Sequence, residues 1–246
     1  MRHKFTTEHG SNDSILVMRR LALLYLLLAV PLSGMHAAPL PVDVRLVLAI
    51  DSSSSVDMDE YYLQLEGYAA AFRHPDLLKA ITSGPHKSIA VALFEWSGSG
   101  QQKVNFSWRR LEDAAGLESF AAELASAPRL VLGGETAIGD AIDFAVGLFN
   151  ESEFEGGRRV VDISGDGVSN RGRPVSTARD DAVFQGVTIN GLAVLNEEPE
   201  VEAHYQRFVV GGTGAFVVAA RDYKDFADVI LKKLIREIST VAEAAP

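Results

Sequence analysis

From Val42 onward the sequence alternates short apolar runs with segments of helical periodicity, and this alternation restricts the fold more than any other feature. Residues 44–50 and 88–94 are nearly continuous in apolar residues, as expected for strands that are covered on both faces. Between such runs, apolar residues recur at steps of three and four, which predicts helices. We therefore expect a doubly wound α/β fold, with a mostly parallel six-stranded sheet and helices on both faces.

One strand of this sheet is expected to run antiparallel at an edge. Residues 103–108 alternate polar and apolar and follow a Gly-rich turn at residues 98–100, a pattern typical of a hairpin. The segment from 74 to 85 is predicted to be a loop. The other predicted elements are helices and strands in alternation: a helix opened by Asp57 and Glu60, helices at 111–125, 173–185 and 201–209, strands at 159–164, 187–195 and 215–219, and a final helix from Phe226.

The first 38 residues have the layout of an export signal. Met18-Arg19-Arg20 precedes an apolar run at 21–30 that ends in small residues, including Ala37-Ala38. This predicts a signal peptide at 18–38 and an exported protein, periplasmic or secreted, with no membrane insertion after cleavage. The apolar run is shorter than the roughly 20 residues of a membrane-spanning helix, which disfavours an uncleaved anchor. Met18 is an alternative start to Met1, so residues 1–17 are a polar leader that need not be translated.

Composition excludes several functions. The net charge of -10, with no basic stripe, argues against nucleic acid as the partner. The chain has no cysteine, which excludes disulfides, thiol nucleophiles and cysteine zinc sites. We expect one domain at residues 42–240 and a disordered tail at 241–246.

Five oxygen-bearing residues fall at predicted strand ends or helix starts. Asp51, Ser53 and Ser55 follow the first strand at alternate positions, Thr136 follows a glycine pair at a helix start, and Asp166 follows the strand at 159–164. Ligands of open parallel sheets bind beyond the carboxyl ends of the strands. Carboxylate and hydroxyl oxygens suit Mg²⁺, Mn²⁺ or Ca²⁺. Taken alone, the segment Asp51–Ser55 is equally well explained as a helix cap, whereas Thr136 is better explained as a cap and Asp166 as a turn residue. Their joint placement indicates a metal site.

This layout resembles the von Willebrand factor type A (vWA) domain. Its metal-ion-dependent adhesion site (MIDAS) is written Asp-x-Ser-x-Ser, then a distant Thr, then a distant Asp. The resemblance covers about residues 42–240. It implies that Ser53 and Ser55 bind the ion directly, that Thr136 binds directly or through water, and that Asp51 and Asp166 act largely through water. The implied ion is Mg²⁺, with Mn²⁺ or Ca²⁺ as alternatives, and the implied partner is a protein that offers an Asp or Glu.

Residues beside the predicted ligands are candidates for contact with that partner. They are Gly134, Glu135 and Gly167. Some details depart from the common family pattern, because Ser164-Gly165 precedes Asp166 where many members have an apolar residue and a Thr. Asp162, inside the same strand, is expected to pair with a neighbouring Arg, since an unpaired buried carboxylate would be costly.

Two alternatives to a non-enzymatic, exported binding module stay open. In the first, Asp51 is the nucleophile of a Mg²⁺-dependent phosphohydrolase. This reading is disfavoured because Ser53 stands where such enzymes have a second Asp, and no acid or base partner is evident. In the second, the chain is a structural vWA domain with a vestigial metal site. The resemblance points to bacterial exported proteins made of little beyond this domain, and the oligomeric state is left open.

Overall fold

A computed structural model describes residues 1–4, 40–196 and 198–239. The chain divides into residues 1–38 and residues 39–246, and the fold lies in the second part. The predicted signal peptide and the predicted tail lie outside the described residues, as does most of the leader, so these assignments stay predictions. Among the described residues, no helix is long and apolar enough to cross a membrane.

The described residues form eight strands and seven α-helices. In chain order they are β1 (Leu40–Pro41), β2 (Val44–Asp51), α1 (Met58–Arg73), α2 (Pro75–Ile81), β3 (Ile89–Trp96), β4 (Gln102–Leu111), α3 (Ala114–Ala125), α4 (Ile138–Asn150), β5 (Phe154–Glu155), β6 (Arg158–Gly165), α5 (Val175–Phe184), β7 (Val187–Val194), α6 (Val201–His204), β8 (Val217–Ala220) and α7 (Phe226–Ser239).

Six strands form the main sheet in the order β4-β3-β2-β6-β7-β8. All neighbours are parallel except β3 and β4, which form the expected antiparallel hairpin at the edge. The predicted fold class is confirmed. A separate two-stranded parallel sheet joins β1 to β5; strands of two residues are too short to show a periodicity, so the sequence did not predict it.

Alternate residues of the central strand β2 pack into two hydrophobic cores, one on each face of the sheet. Leu46, Leu48 and Ile50 pack with the face covered by α1, α2, α3 and α7. Val47 and Ala49 pack with the opposite face, covered by α4, α5 and α6. All five side chains are fully buried. Burial on both sides explains why residues 46–50 of this strand are all apolar instead of alternating with polar residues.

Helix α1 begins and packs as the sequence predicts. Asp57 accepts a hydrogen bond from the Glu60 amide at 2.8 Å, and Glu60 accepts one from the Asp57 amide at 2.9 Å, which is a complete capping box. Its buried aromatic and aliphatic side chains follow helical spacing: Tyr61, Leu65, Tyr68 and Phe72. The helix therefore leaves the Asp51–Ser55 turn in a fixed direction.

The structure corrects three predicted elements. Residues 75–81 form helix α2 instead of a loop, because Pro75 opens it and the His74 ring caps it by accepting a hydrogen bond from the Asp76 amide. Helix α3 begins at Ala114 and not at residue 111, since β4 continues to Leu111 and Asp113 is the N-cap. The predicted helix at 201–209 is α6 followed by a π-helix at Tyr205–Val209.

Asp162 has a different partner from the one predicted. It lies in β6 and pairs with Lys233 of α7 at 2.5 Å, not with an Arg. Lys233 also pairs with Glu237 at 2.5 Å, and all three side chains are buried. Asn190 of β7 donates to Glu237 at 3.0 Å. Two charged residues thus stand on the buried face of the final helix, where the sequence pattern places only its apolar stripe.

Candidate metal centre

The five predicted ligands lie around the point where the sheet reverses its order. From β2 the chain crosses to β3 on one side, and from β6 it crosses to β7 on the other. β2 and β6 are parallel neighbours, so their carboxyl ends lie side by side. Asp51 is the last residue of β2, and Asp166 directly follows β6. Such a switch point opens a crevice in which α/β proteins bind ligands.

Hydrogen bonds connect the Asp-x-Ser-x-Ser segment to Asp166. Asp51 Oδ1 accepts a hydrogen bond from the Ser53 amide at 2.7 Å. The Ser53 and Ser55 hydroxyl oxygens are 3.2 Å apart, and the Ser55 hydroxyl donates to Asp166 Oδ1 at 2.6 Å. Four of the five predicted residues therefore form one connected cluster, although Ser55 and Asp166 are 111 residues apart in the chain.

Thr136 joins this cluster through a shared cavity. Thr136, Ser55 and Asp166 line a cavity of about 370 Å³. The loop after Asp166 holds Thr136 in place: Asn170 accepts from the Thr136 amide at 2.9 Å, and the Ser169 hydroxyl donates to the Thr136 carbonyl at 3.1 Å. One loop thus supplies Asp166 and positions Thr136. The sequence reasoning missed Asn170 and Ser169.

The residues proposed for partner contact have different surroundings. Gly134 and Gly167 line the cavity. Gly134 is held by two hydrogen bonds with Ser54: its amide donates to the Ser54 hydroxyl oxygen at 2.8 Å, and its carbonyl accepts from the Ser54 amide at 3.0 Å. Glu135 is more than half exposed and pairs with Arg171 at 3.3 Å. The added negative charge of Glu135 is therefore partly balanced by Arg171.

A buried glutamate in β3, Glu95, holds the Asp51–Ser55 turn through hydrogen bonds. Glu95 is fully buried and accepts hydrogen bonds from the Ser52 hydroxyl at 3.2 Å and the Tyr61 hydroxyl at 2.7 Å. The Leu130 and Val131 amides also donate to it. With so many donors, the carboxylate is satisfied without a cation. The one signal for this role in the sequence is an acidic residue inside an otherwise apolar strand.

Arg129 also holds the Asp51–Ser55 turn, through hydrogen bonds to its backbone carbonyl groups. Its guanidinium donates to five backbone carbonyl groups. Four belong to the turn and the start of α1, namely Ser52 at 2.8 Å, Ser53 at 3.2 Å, Val56 at 2.9 Å and Asp57 at 3.3 Å, and the fifth is Val131 at 2.8 Å. Its guanidinium also lies over the Tyr61 ring, 5.5 Å from the centroid. The planar fork of Arg suits several acceptors at once. No motif in the sequence identified this residue.

The two carboxylates of the cluster disfavour each other's ionisation. Burial, then the charge of Asp166, raises the pKa of Asp51 to about 7, while the hydrogen bonds with Ser53 oppose the shift. Both side chains are fully buried. Asp51 Oδ2 has no hydrogen-bond partner among the described residues. A buried acceptor without a donor, beside a second carboxylate, is the environment that a cation would relieve.

The donor set decides which ions fit. The cluster offers two carboxylates and three hydroxyls, all hard oxygen donors of the kind that Mg²⁺, Mn²⁺ and Ca²⁺ take. In the described part of the chain, no group of three or more His, Cys, Asp or Glu side chains is arranged to hold a metal. Any ion bound here would therefore depend on the hydroxyls of Ser53, Ser55 and Thr136 as well as on the two carboxylates.

Comparison with known families identifies the fold and the family together. A family model described as "Protein of unknown function (DUF1194)" matches residues 41–242. The chain belongs to this family. DUF1194 is a vWA-like family, which confirms the resemblance predicted from the sequence. No curated protein sequence gives a significant match.

Solved structures similar to this DUF1194 protein include vWA domains. Proximal thread matrix protein 1 (PTMP1) from the mussel byssus has a TM-score of 0.56 and 18% identity, over 82% of this chain and 49% of that one. The von Willebrand factor type A protein from Catenulispora acidiphila has a TM-score of 0.55 and 16% identity, over 81% of this chain and 43% of that one. BatB from Bacteroides thetaiotaomicron has a TM-score of 0.56 and 17% identity, over 82% of this chain and 100% of that one.

At such identities the likeness concerns the fold alone. The DUF1194 chain spans about half the length of PTMP1 and less than half of the Catenulispora protein. A further PTMP1 structure, with a TM-score of 0.54 and 19% identity over 82% of this chain and 48% of that one, is described as having a zinc-occupied MIDAS motif. The fold therefore holds a divalent ion in at least one similar protein.

Proposed function

We propose that this protein is an exported, non-enzymatic binding module that captures an acidic residue of a protein partner through a divalent cation. Ser53, Ser55 and Thr136 would hold the ion through their hydroxyls, while Asp51 and Asp166 balance its charge and orient the ligands through water. The ion would supply electrostatic attraction for a carboxylate of the partner. Mg²⁺ is the first expectation, with Mn²⁺ and Ca²⁺ as alternatives.

One observation carries this proposal: the hydrogen bond from the Ser55 hydroxyl to Asp166, 111 residues away, beside the Ser53 hydroxyl. Each residue could serve as a cap or a turn, but caps bind their own helix and do not need a distant carboxylate. The convergence of all three motif segments on one cavity is explained by a shared ligand. The zinc-occupied MIDAS motif of PTMP1 supports the same use of the fold.

The geometry favours binding over phosphate hydrolysis. A nucleophilic Asp51 would have to reach a phosphorus atom, yet its side chain is fully buried and one oxygen is engaged by the Ser53 amide. Among the similar structures, PTMP1 is described as a thread matrix protein of the mussel byssus. Export rests on the predicted signal at residues 18–38, and the acidic balance of the chain disfavours nucleic acid as the partner.

The test is metal-dependent capture from the cell envelope. The full chain is immobilised, envelope extract of the source cell is passed over it in Mg²⁺, and bound protein is eluted with EDTA. The matched variants are Ser53→Ala with Ser55→Ala, which removes two of the proposed ligands, and Ser119→Ala, which removes an exposed hydroxyl on α3. Circular dichroism confirms that each variant is folded.

We expect a protein that elutes with EDTA from the wild type and from Ser119→Ala, and that is absent from the double variant. Equal capture by the folded double variant would contradict the proposed ligands. If the wild type binds Mg²⁺ and captures nothing, the module is not an adhesion domain. If it binds no divalent ion at all, the site is vestigial and the fold has a structural role.

A further inference from the structure

Besides Asp166, a carboxylate from outside the three motif segments lines the candidate metal cavity. Glu198 follows β7 and forms part of the wall of the same cavity as Ser55, Thr136 and Asp166. It is exposed to solvent, so its charge is available to a ligand in the cavity. Because it belongs to none of the motif segments, the sequence reasoning missed it.

Hydrogen bonds hold the Glu198 segment at the mouth of the cavity. Glu198 Oε2 accepts from the Val168 amide at 3.1 Å, two residues after Asp166. The Glu198 carbonyl accepts from the Val201 amide at 3.1 Å, where α6 begins. Asn196 donates to Glu60 of α1 at 2.8 Å. The segment is thus tied both to the loop after β6 and to the helix that follows the Asp-x-Ser-x-Ser turn.

We infer that Glu198 is an internal carboxylate ligand of this site, and that an acidic residue of the partner must displace it. The inference rests on the proposed function. Asp51 and Asp166 would balance the double charge of the ion largely through water, while its direct ligands would be neutral hydroxyl groups. An ion with neutral direct ligands still attracts a further carboxylate. Among the described residues outside the motif segments, Glu198 is the carboxylate that lines the cavity. Partner capture is then an exchange of one carboxylate for another.

A purely structural role for Glu198 makes a different prediction. If Glu198 serves only to accept the Val168 hydrogen bond, a Gln side chain replaces it without effect, because the amide oxygen accepts the same bond. If Glu198 binds the ion, Gln weakens the binding, because it lacks the charge and is a poorer ligand. Glu198→Gln therefore separates the two roles while retaining the loop anchor.

The test uses the full chain and two simple probes, Mn²⁺ and acetate, in isothermal titration calorimetry. In Glu198→Gln we expect the Mn²⁺ affinity to fall roughly ten-fold, as for loss of a group that supports a metal ligand shell. We expect acetate to bind the Mn²⁺-loaded variant several-fold more tightly than the wild type, because no internal carboxylate competes. Water-proton relaxation of the Mn²⁺-loaded variant should rise, since water takes the vacated position.

The matched control is Glu202→Gln, which removes an exposed negative charge from α6. It should behave as the wild type in all three measurements. Identical behaviour of Glu198→Gln and Glu202→Gln would overturn the inference and leave Glu198 as a loop anchor, with the proposed metal site intact. Equal acetate affinities of the Mn²⁺-loaded Glu198→Gln variant and the Mn²⁺-loaded wild type would contradict the proposed exchange of one carboxylate for another. Failure of the wild type to bind Mn²⁺ would overturn the proposed function itself, and with it this inference.

Discussion

Gly165 determines how closely β6 passes the Asp51 carboxylate. A Cβ atom at this position would lie 2.6 Å from Asp51 Oδ2 and 2.7 Å from the Tyr205 hydroxyl. Neither atom belongs to a flexible chain end at the surface, because both residues are fully buried. The departure from the common family pattern, Ser164-Gly165 before Asp166, thus has a steric reason in this chain.

We expect Gly165→Ala to reduce the free energy of unfolding by about 1–3 kcal/mol, the usual effect of overpacking a dense interior. It should also weaken Mg²⁺ binding, because the Asp51 carboxylate must move. Urea unfolding and calorimetry measure the two effects. Gly147→Ala is the control: its Cβ meets nothing within 4 Å, and Ala in this α4 position should stabilise by about 0.5–1 kcal/mol. Equal stability of both variants would contradict the steric argument.

Arg129 is the other residue on which the shape of the turn depends. Arg129→Lys retains the positive charge but cannot donate to five carbonyl groups, since a Lys ammonium has three donors and no planar fork. We expect the unfolding free energy to fall by about 1–3 kcal/mol, because buried carbonyls lose their partner, and the Mg²⁺ affinity to fall with it. Arg221→Lys, whose Arg side chain is 85% exposed and pairs with Asp225, should change neither quantity. Mg²⁺ titration and urea unfolding provide the comparison.

The ligands and their supports differ in how much of them could be predicted. Asp51, Ser53, Ser55, Thr136 and Asp166 stand at strand ends and helix starts, positions that hydrophobic periodicity locates. Glu95 and Arg129 act through contacts with segments 30 to 80 residues away in sequence. A pattern read along the chain contains no information on such pairs, so only the folded structure could reveal them.

At the scale of elements, helix α7 contains the largest disagreement between pattern and structure. The sequence predicts an apolar stripe of Phe226, Val229, Ile230, Leu234 and Ile238, and four of these residues are buried while Val229 is half-buried. Lys233 and Glu237 are buried too, because Asp162 in β6 and Asn190 in β7 offer partners beneath the helix. Burial of charge is tolerated only with such partners, and the partners come from distant strands. The short elements α2 and β1 were missed because they span too few residues to show a period.

The buried pair on α7 predicts a pH dependence of stability. Burial, then the charge of Asp162, raises the pKa of Glu237 to about 7, while Lys233 opposes the shift. Between the ordinary pKa of a Glu and pH 7, the folded protein holds a proton that the unfolded chain has released. Stability from this group is therefore lost as the pH rises through that window and stays lost above it.

Glu237→Gln should remove this loss. We expect the unfolding free energy of the variant, relative to the wild type, to increase by roughly 1–3 kcal/mol between pH 4 and pH 8. Urea unfolding at several pH values measures the difference. Glu66→Gln, at an exposed position of α1, should keep a constant difference from the wild type. A constant difference for Glu237→Gln as well would show that Glu237 does not hold a proton in the folded state at pH 6.

At the scale of the whole molecule, the sheet order places two buried carboxylates side by side at its switch point. Asp51 ends β2 and Asp166 directly follows β6, its parallel neighbour, so the fold itself brings their charges together. In the absence of a cation this arrangement opposes folding, because both side chains are buried and each disfavours the charge of the other. The two carboxylates that favour cation binding are thus expected to lower the stability of the metal-free fold, a conflict found at many functional sites.

Asp166→Asn tests this conflict directly. Asn still accepts the Ser55 hydrogen bond but carries no charge, so we expect the metal-free variant to melt a few degrees above the metal-free wild type, as for a gain of about 1 kcal/mol. Saturating Mg²⁺ should raise the melting temperature of the wild type, since a ligand at 100 times its Kd stabilises by about 2.7 kcal/mol, and leave the variant unchanged. Asp59→Asn, at an exposed position of α1, should respond to Mg²⁺ as the wild type does. A metal-free Asp166→Asn protein that melts below the wild type would show that the two carboxylates do not repel each other in the folded chain.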